Sequence, residues 1–74
     1  MQIEVRLFAY FREGRFKKKN IEVNESTTLL DVLNDLKIDK EDVSLILISG
    51  KDGKFDSKFK DGDILALFPP VGGG

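Results

Sequence analysis

Residues 64–74 read Ile64-Leu65-Ala66-Leu67-Phe68-Pro69-Pro70-Val71-Gly72-Gly73-Gly74, an apolar strand pattern followed by two prolines and three glycines. Proline fixes φ and has no N–H for a strand ladder, so the prolines predict that the strand ends at Phe68. Glycine has no Cβ and passes where a side chain would collide, which predicts a slim tail. We therefore divide the sequence into a folded domain, residues 1–68, and a flexible C-terminal Gly-Gly tail, residues 69–74.

The tail has two interpretations. Glycine-rich ends are commonly linkers, and three glycines alone favour that interpretation. The stiff Phe68-Pro69-Pro70-Val71 segment directly upstream favours a tail that points away from the domain. Residues 69–74 reach roughly 20 Å when fully extended, which suits a narrow channel in another protein.

Upstream of the tail, three apolar patterns predict further strands, and a fourth strand is short and irregular. Residues 2–8 predict a half-buried strand, because apolar and polar side chains alternate as far as Leu7, and Phe8 departs from the polar face. Residues 20–23 predict a second short strand. Residues 43–48 form the most apolar run of the chain and predict a central strand that is covered on both faces. A short irregular strand follows a glycine-containing turn at residues 50–53.

One amphipathic helix lies between these strands. Thr28 is a candidate N-cap, and Asp31 follows at the spacing of a capping box. The apolar stripe of the helix has the i, i+3, i+4, i+7 spacing: Leu29, Val32, Leu33 and Leu36. The element order predicts an α+β domain with a mixed sheet of four to five strands covered by one main helix. With the first and last strands as parallel neighbours, this is the β-grasp, or ubiquitin-like, fold.

Composition excludes several classes of function. The chain has no cysteine and no histidine, so it has no disulfide, no thiolate metal site and no Ser-His or Cys-His nucleophile. Its 12 basic and 13 acidic side chains give a net charge of -1, which does not indicate nucleic-acid binding. No apolar run is long enough for a membrane span, no signal peptide is recognisable, and no calcium-loop pattern occurs. We expect a cytoplasmic protein that binds neither nucleic acid nor a membrane and holds no metal.

The Gly74 carboxylate is the one unusual chemical group. A carboxylate resists nucleophiles until its oxygen becomes a good leaving group, which ATP-driven adenylation achieves. The resulting mixed anhydride can pass its acyl carbon to sulfur or to an amine. An enzyme that performs this step must close around the chain end and exclude water. Glycines at the last two positions leave room for that closure.

Three segments resemble the MoaD family, the small subunits of molybdopterin synthase, within the MoaD/ThiS superfamily. The most specific is Lys60-Asp61-Gly62-Asp63 with the strand and tail that follow it. Leu7-Phe8-Ala9-Tyr10-Phe11-Arg12-Glu13 is similar to the family's first strand and loop, and Thr28-Leu29-Leu30-Asp31-Val32-Leu33 to its helix. The chain departs at Gly72, where the family usually has Ala or Ser, and in a shorter region after Glu13.

The resemblance implies a sulfur carrier without catalytic residues or a bound cofactor of its own. An E1-like, MoeB-like partner would consume ATP to adenylate Gly74, and sulfur would then replace AMP to give a thiocarboxylate. The tail would thread into a MoaE-like large subunit and donate sulfur to precursor Z in molybdopterin biosynthesis. The predicted threading residues are Pro69, Pro70, Val71, Gly72 and Gly73. The predicted docking residues are Phe8, Phe59 and Phe68, with core filling an equal alternative for Phe59.

Three alternatives remain open at the level of sequence. The first is a ThiS-like carrier that supplies sulfur to the thiazole of thiamin or to tRNA. The second is a ubiquitin-like modifier that joins Gly74 to lysine amines of target proteins. The third is an interaction domain with an inert tail. The Phe-Pro-Pro segment and the Phe8-Ala9 opening favour the molybdopterin branch.

Overall fold

A computed structural model describes residues 1–70 of the chain. Its five strands are β1 (Gln2–Leu7), β2 (Lys18–Glu22), β3 (Leu45–Ile48), β4 (Lys51–Asp52) and β5 (Ile64–Phe68). Its one α-helix is α1 (Leu29–Leu36), and two 3₁₀ helices span Ala9–Arg12 and Lys40–Asp42. The predicted element order is confirmed, although β4 lies within residues 50–53, which were predicted to form a turn, and not after them. Within the described residues, no helix has the length and apolar character needed to cross a bilayer.

The strands form one mixed sheet in the order β2-β1-β5-β3-β4. The first and last strands are parallel neighbours at its centre, with Val5 opposite Leu65 and Leu7 opposite Leu67. All other strand pairs are antiparallel. A five-stranded mixed sheet with one helix and a parallel pairing of its first and last strands is the predicted β-grasp fold.

The core lies between α1 and one face of the sheet. Side chains alternate along a strand, so β1 and β5 each send every second residue to this face. The fully buried residues of the core are Ile3, Val5, Leu7, Leu29, Val32, Leu33, Leu65 and Leu67. Phe11 and Ile38 join the same cluster from the connecting segments. The opposite face of the sheet carries no helix in the described part of the chain, and we call it the open face.

Helix α1 has the ends that its sequence predicts. At its start, Asp31 N donates to Thr28 Oγ1 at 3.3 Å, and Thr28 N donates to Asp31 Oδ2 at 3.0 Å. This reciprocal pair is the capping box. At its end, Lys37 has a φ of 59°, and Ile38 N donates to Leu33 O at 2.9 Å. That bond is the Schellman closure, and it carries Ile38 into the core.

Thr28→Ala removes the side-chain acceptor at the start of α1. We expect a loss of about 1 kcal/mol in the free energy of unfolding, because the Asp31 N–H loses its partner. Urea unfolding followed by circular dichroism measures this change. Thr28→Ser keeps a hydroxyl at the same position and is the control. Equal stability losses for the two variants would show that the cap contributes nothing.

Strand β3 differs from its prediction. The apolar run at residues 43–48 predicts a strand covered on both faces. In the structure Leu45 is 42% exposed, and Ile46 is the only buried residue of β3. The prediction was wrong because α1 covers one face of the sheet and leaves the open face uncovered. Strand β2 also begins earlier than predicted, at Lys18, because it pairs with β1 as far as Arg6.

Candidate functional site

Two of the three predicted docking phenylalanines lie side by side. Phe8 directly follows β1 and Phe68 ends β5, and these two strands are parallel neighbours. Their rings stack with centroids 4.3 Å apart and planes inclined by 10°. Both side chains are half-buried, so each leaves part of its ring accessible on the open face. The structure therefore brings Phe8 and Phe68 together at the end of the last strand.

The third predicted docking residue, Phe59, is buried, so it is not part of an exposed docking surface. Only 5% of it is exposed, and it belongs to the core cluster. Its segment lies against the start of α1, where Leu29 N donates to Ser57 O at 2.9 Å and Lys58 forms a bridge with Thr28. These bonds hold the segment on the core side of the molecule. Core filling, the equal alternative at the level of sequence, is its role.

Leucines of β3 extend the aromatic pair into an apolar patch. Leu45 lies opposite Phe68 across the strand pair, and Leu47 lies opposite Ala66. Residues directly opposite each other point to the same face of a sheet. We define the docking patch as Phe8, Leu45, Leu47, Ala66 and Phe68. The sequence analysis missed Leu45 and Leu47, although their spacing of two places them on one face of a strand.

Arg12 fixes the outer end of this patch. Ala9 has a φ of 53°, an uncommon value for a residue with a Cβ, and it turns the chain into the first 3₁₀ helix. Arg12, at the end of that helix, donates from Nε to Leu7 O at 2.6 Å. Its Cζ lies 5.2 Å from the ring centroid of Phe8, which is cation–π range. The sequence gives no signal for this contact, because it depends on the local turn at Ala9.

The prolines continue the chain directly from the docking patch. Ser44 N donates to Phe68 O at 2.8 Å, the last bond of the ladder between β3 and β5. Pro69 is buried and Pro70 is exposed, so the packed part of the chain includes the first proline. The predicted tail residues Val71, Gly72, Gly73 and Gly74 lie outside the described residues.

Other chemistry has little support in the described part of the chain. Within residues 1–70, no three carboxylates come close enough together to hold a metal ion. Asp61 and Asp63, the acidic pair of the turn before β5, bond to the protein itself: Gln2 N donates to Asp61 Oδ1 at 2.9 Å and Ser49 Oγ donates to Asp63 Oδ1 at 2.8 Å. These carboxylates organise turns.

Comparison with known proteins decides the family. The sequence model of the ThiS family matches residues 5–74, nearly the whole chain. The chain belongs to the ThiS family. The match covers the docking patch and the terminal glycines together, and it confirms the resemblance to the MoaD/ThiS superfamily. No curated protein sequence matches the chain at a significant level.

Solved structures of family members have the same fold. A Pyrococcus furiosus protein described as molybdopterin converting factor subunit 1 is 28% identical, with a TM-score of 0.77 over 96% of this chain and 99% of that one. SAMP1 from Haloferax volcanii is 26% identical, with a TM-score of 0.77 and full coverage of both chains. A complex of subunits 1 and 2 of the molybdopterin-converting factor from Helicobacter pylori matches with 26% identity and a TM-score of 0.68 over 100% of both chains. This family member is therefore a sulfur carrier or a ubiquitin-like modifier.

The stacked phenylalanines should couple energetically. We expect a double-mutant cycle of Phe8→Ala and Phe68→Ala to give a coupling free energy of about 0.5–1.5 kcal/mol, because offset aromatic stacking adds to simple burial. Urea unfolding of the four proteins supplies the cycle. A second cycle of Phe8→Ala with Phe55→Ala is the control, since Phe55 is 37% exposed in a different loop. Equal coupling in both cycles would exclude a specific stack.

Proposed function

We propose that this chain is the sulfur-carrying small subunit of a molybdopterin synthase. The observation that carries the proposal is the continuity of β5, the Phe8–Phe68 stack and the Pro69-Pro70 spacer. In this arrangement the apolar docking patch lies where the chain continues toward Gly74, which supports a role for the patch in binding the protein that receives the tail. The Pyrococcus and Helicobacter neighbours, both described as molybdopterin converting factor subunits, support this branch of the family.

Activation of the carrier takes place at Gly74. An E1-like, MoeB-like enzyme joins the carboxylate to the AMP group of ATP and releases pyrophosphate. A sulfur donor then attacks the acyl carbon, AMP leaves, and the chain ends in a thiocarboxylate. The thiocarboxylate sulfur is a softer and better nucleophile than the oxygen it replaces. The carrier itself binds no cofactor in this scheme, and the activating enzyme consumes the ATP. The proposed compartment for these reactions is the cytoplasm.

Sulfur donation requires a second protein. The docking patch binds a MoaE-like large subunit, and residues Pro69 to Gly73 thread into that subunit so that the sulfur meets precursor Z. The Helicobacter complex of subunits 1 and 2 supports such a partner. Phe8, Leu45 and Phe68 supply apolar contact area, and aromatic side chains of this kind commonly carry much of the binding energy. The carrier's role is to bind and to present sulfur.

Mass spectrometry tests the proposal directly. The chain is incubated with the adenylating enzyme of its source organism, ATP and a sulfur donor, and its intact mass is measured. We expect a mass increase equal to the exchange of one oxygen for one sulfur, followed by loss of that sulfur when the large subunit and precursor Z are added. A chain without its terminal two glycines is the control and should show no exchange. An unchanged mass in the intact chain would refute a carrier role.

The second candidate is a protein modifier. SAMP1 and the small archaeal modifier protein structure from Haloferax volcanii, at 26% and 25% identity, favour it. A modifier would appear as isopeptide adducts on lysines of other proteins purified from the source organism. A pull-down distinguishes the remaining alternative, a ThiS-like carrier for thiamin or tRNA thiolation. Such a carrier would recover a thiazole synthase or a tRNA-thiolating enzyme in place of the MoaE-like protein.

A further inference from the structure

A basic cleft adjoins the docking patch on the open face. It has a volume of about 380 Å³ and is lined by Arg6, Phe8, Arg12, Lys17 and Lys18. Four of these five residues are cations, although the whole chain has a net charge of only -1. From the sequence alone, the lysine run at residues 17–19 favours a solvated loop or hairpin face over a docking patch. The structure places Lys17 and Lys18 beside two arginines from other segments.

Two of the cations oppose each other across the strands. Arg6 of β1 pairs directly with Lys18 of β2, so both side chains lie on the open face. Like charges directly opposite each other destabilise a strand pair. Glu4 forms an ion pair with Arg6, whereas Lys17 and Lys18 are exposed and form no ion pair within residues 1–70. The cleft therefore has positive charge that the described part of the chain leaves uncompensated.

The cleft and the docking patch share Phe8. Because Phe8 lines the cleft together with the four cations, a protein that contacts the exposed part of its ring comes close to them. Apolar contact with a neutral or basic surface there would leave the positive charges partly desolvated and unpaired, which is unfavourable. A surface with carboxylates beside its apolar centre would complement both halves of the open face.

We propose that the basic cleft binds carboxylate side chains of the MoaE-like large subunit, next to the apolar contact made by the docking patch. This inference rests on the proposed function and adds the chemistry of the partner's surface. Exposed charges of this kind act over about 10 Å in dilute salt and mainly accelerate encounter. A carrier that moves between two enzymes gains from fast association that does not require a very stable complex.

The test compares charge reversal in the cleft with the same reversal elsewhere. The variant is Lys17→Glu with Lys18→Glu, because these side chains make no side-chain hydrogen bond or ion pair among residues 1–70 and a carboxylate at position 18 would face Arg6. The control is Lys40→Glu with Lys54→Glu, which changes the net charge equally away from the open face. A second control, Lys17→Arg with Lys18→Arg, preserves the cleft charge. Association with the large subunit of the source organism is measured by stopped flow at low and high salt.

We expect the cleft variant to associate about tenfold more slowly at low salt, with a difference that shrinks at high salt. Both controls should retain the rate of the unaltered chain. Equal slowing by the Lys40 and Lys54 control would overturn the inference, because net charge alone would then explain the effect. So would a salt-independent rate, or an effect on the adenylating enzyme without one on the large subunit.

Failure of the inference and failure of the proposed function give different results. If the unaltered chain accepts sulfur and transfers it in the large subunit but the cleft variant associates normally, only the cleft assignment falls. If the unaltered chain neither gains sulfur nor binds the large subunit, both the proposed function and the inference that rests on it are refuted. Sulfur transfer at saturating large subunit should remain intact in the cleft variant, because the altered residues lie outside the tail.

Discussion

We expect Gly74→Ala to lower the rate of thiocarboxylate formation by about a hundredfold, the cost of misplacing a reacting atom by roughly the width of a methyl group. The added Cβ occupies space that an adenylating enzyme needs when it closes around the chain end and excludes water. The rate is measured by intact-mass spectrometry after timed incubation with the adenylating enzyme, ATP and a sulfur donor. One residue added after Gly74 should block the reaction as well, since it moves the carboxylate away from the nucleotide.

Gly72→Ala is the matched control for this substitution. It adds the same methyl group two residues upstream, at a position where members of the MoaD branch usually carry Ala or Ser. We expect loading close to that of the unaltered chain. The melting temperature of all variants should be unchanged, because the core is built from residues 1–70. Normal loading of the Gly74→Ala chain would contradict the activation of Gly74.

Of the substitutions proposed for this protein, Leu65→Ala should lower the free energy of unfolding most. Leu65 is 0% exposed and lies in β5, between β1 and β3 at the centre of the sheet. Removing a buried leucine side chain costs about 2–5 kcal/mol, through lost transfer free energy and the cavity that remains. Small domains have total stabilities of roughly 5–15 kcal/mol, so this variant loses a large fraction of its stability. Urea unfolding measures the change.

Leu45→Ala controls for the loss of a leucine from a strand. Leu45 is in the adjacent strand β3 but is 42% exposed on the open face. We expect it to cost less than half as much as Leu65→Ala, because less apolar surface returns to water. The same variant should weaken binding of the large subunit, since Leu45 belongs to the docking patch. Equal stability losses at the two positions would contradict the arrangement of one covered and one open sheet face.

Local patterns predicted most of the fold. The capping box at Thr28 and Asp31 depends only on residues three apart, and the structure confirms it. The turn before β4 was predicted only in part. The sequence placed it at residues 50–53, whereas the structure turns at Ser49 and Gly50, with φ values of 49° and 83° that suit a two-residue hairpin turn. The parallel pairing of the first and last strands entered the prediction only as a condition of the β-grasp fold, because local patterns do not determine which strands pair.

Features that depend on distant contacts were harder to predict. Phe59 has polar neighbours in the sequence, which left docking and core filling as equal alternatives, and the bonds of its segment to the start of α1 bring it into the core. The apolar run of β3 indicated burial but could not indicate that one face of the sheet would stay open. Arg12 reaches Phe8 only because Ala9 adopts a positive φ. Phe8 and Phe68 were named as docking residues from the family resemblance and from their departure from simple core patterning, and the structure shows that their rings stack.

The central position of β5 affects how the protein is made. Because β5 lies between β1 and β3 in the sheet, these strands cannot all pair until the chain has been synthesised as far as Phe68. A product that ends before β5 lacks the central strand of its sheet and exposes the apolar side chains of the core. Such a product is susceptible to proteolysis. A product that ends before β5 also lacks Phe68, so it cannot form the Phe8–Phe68 stack.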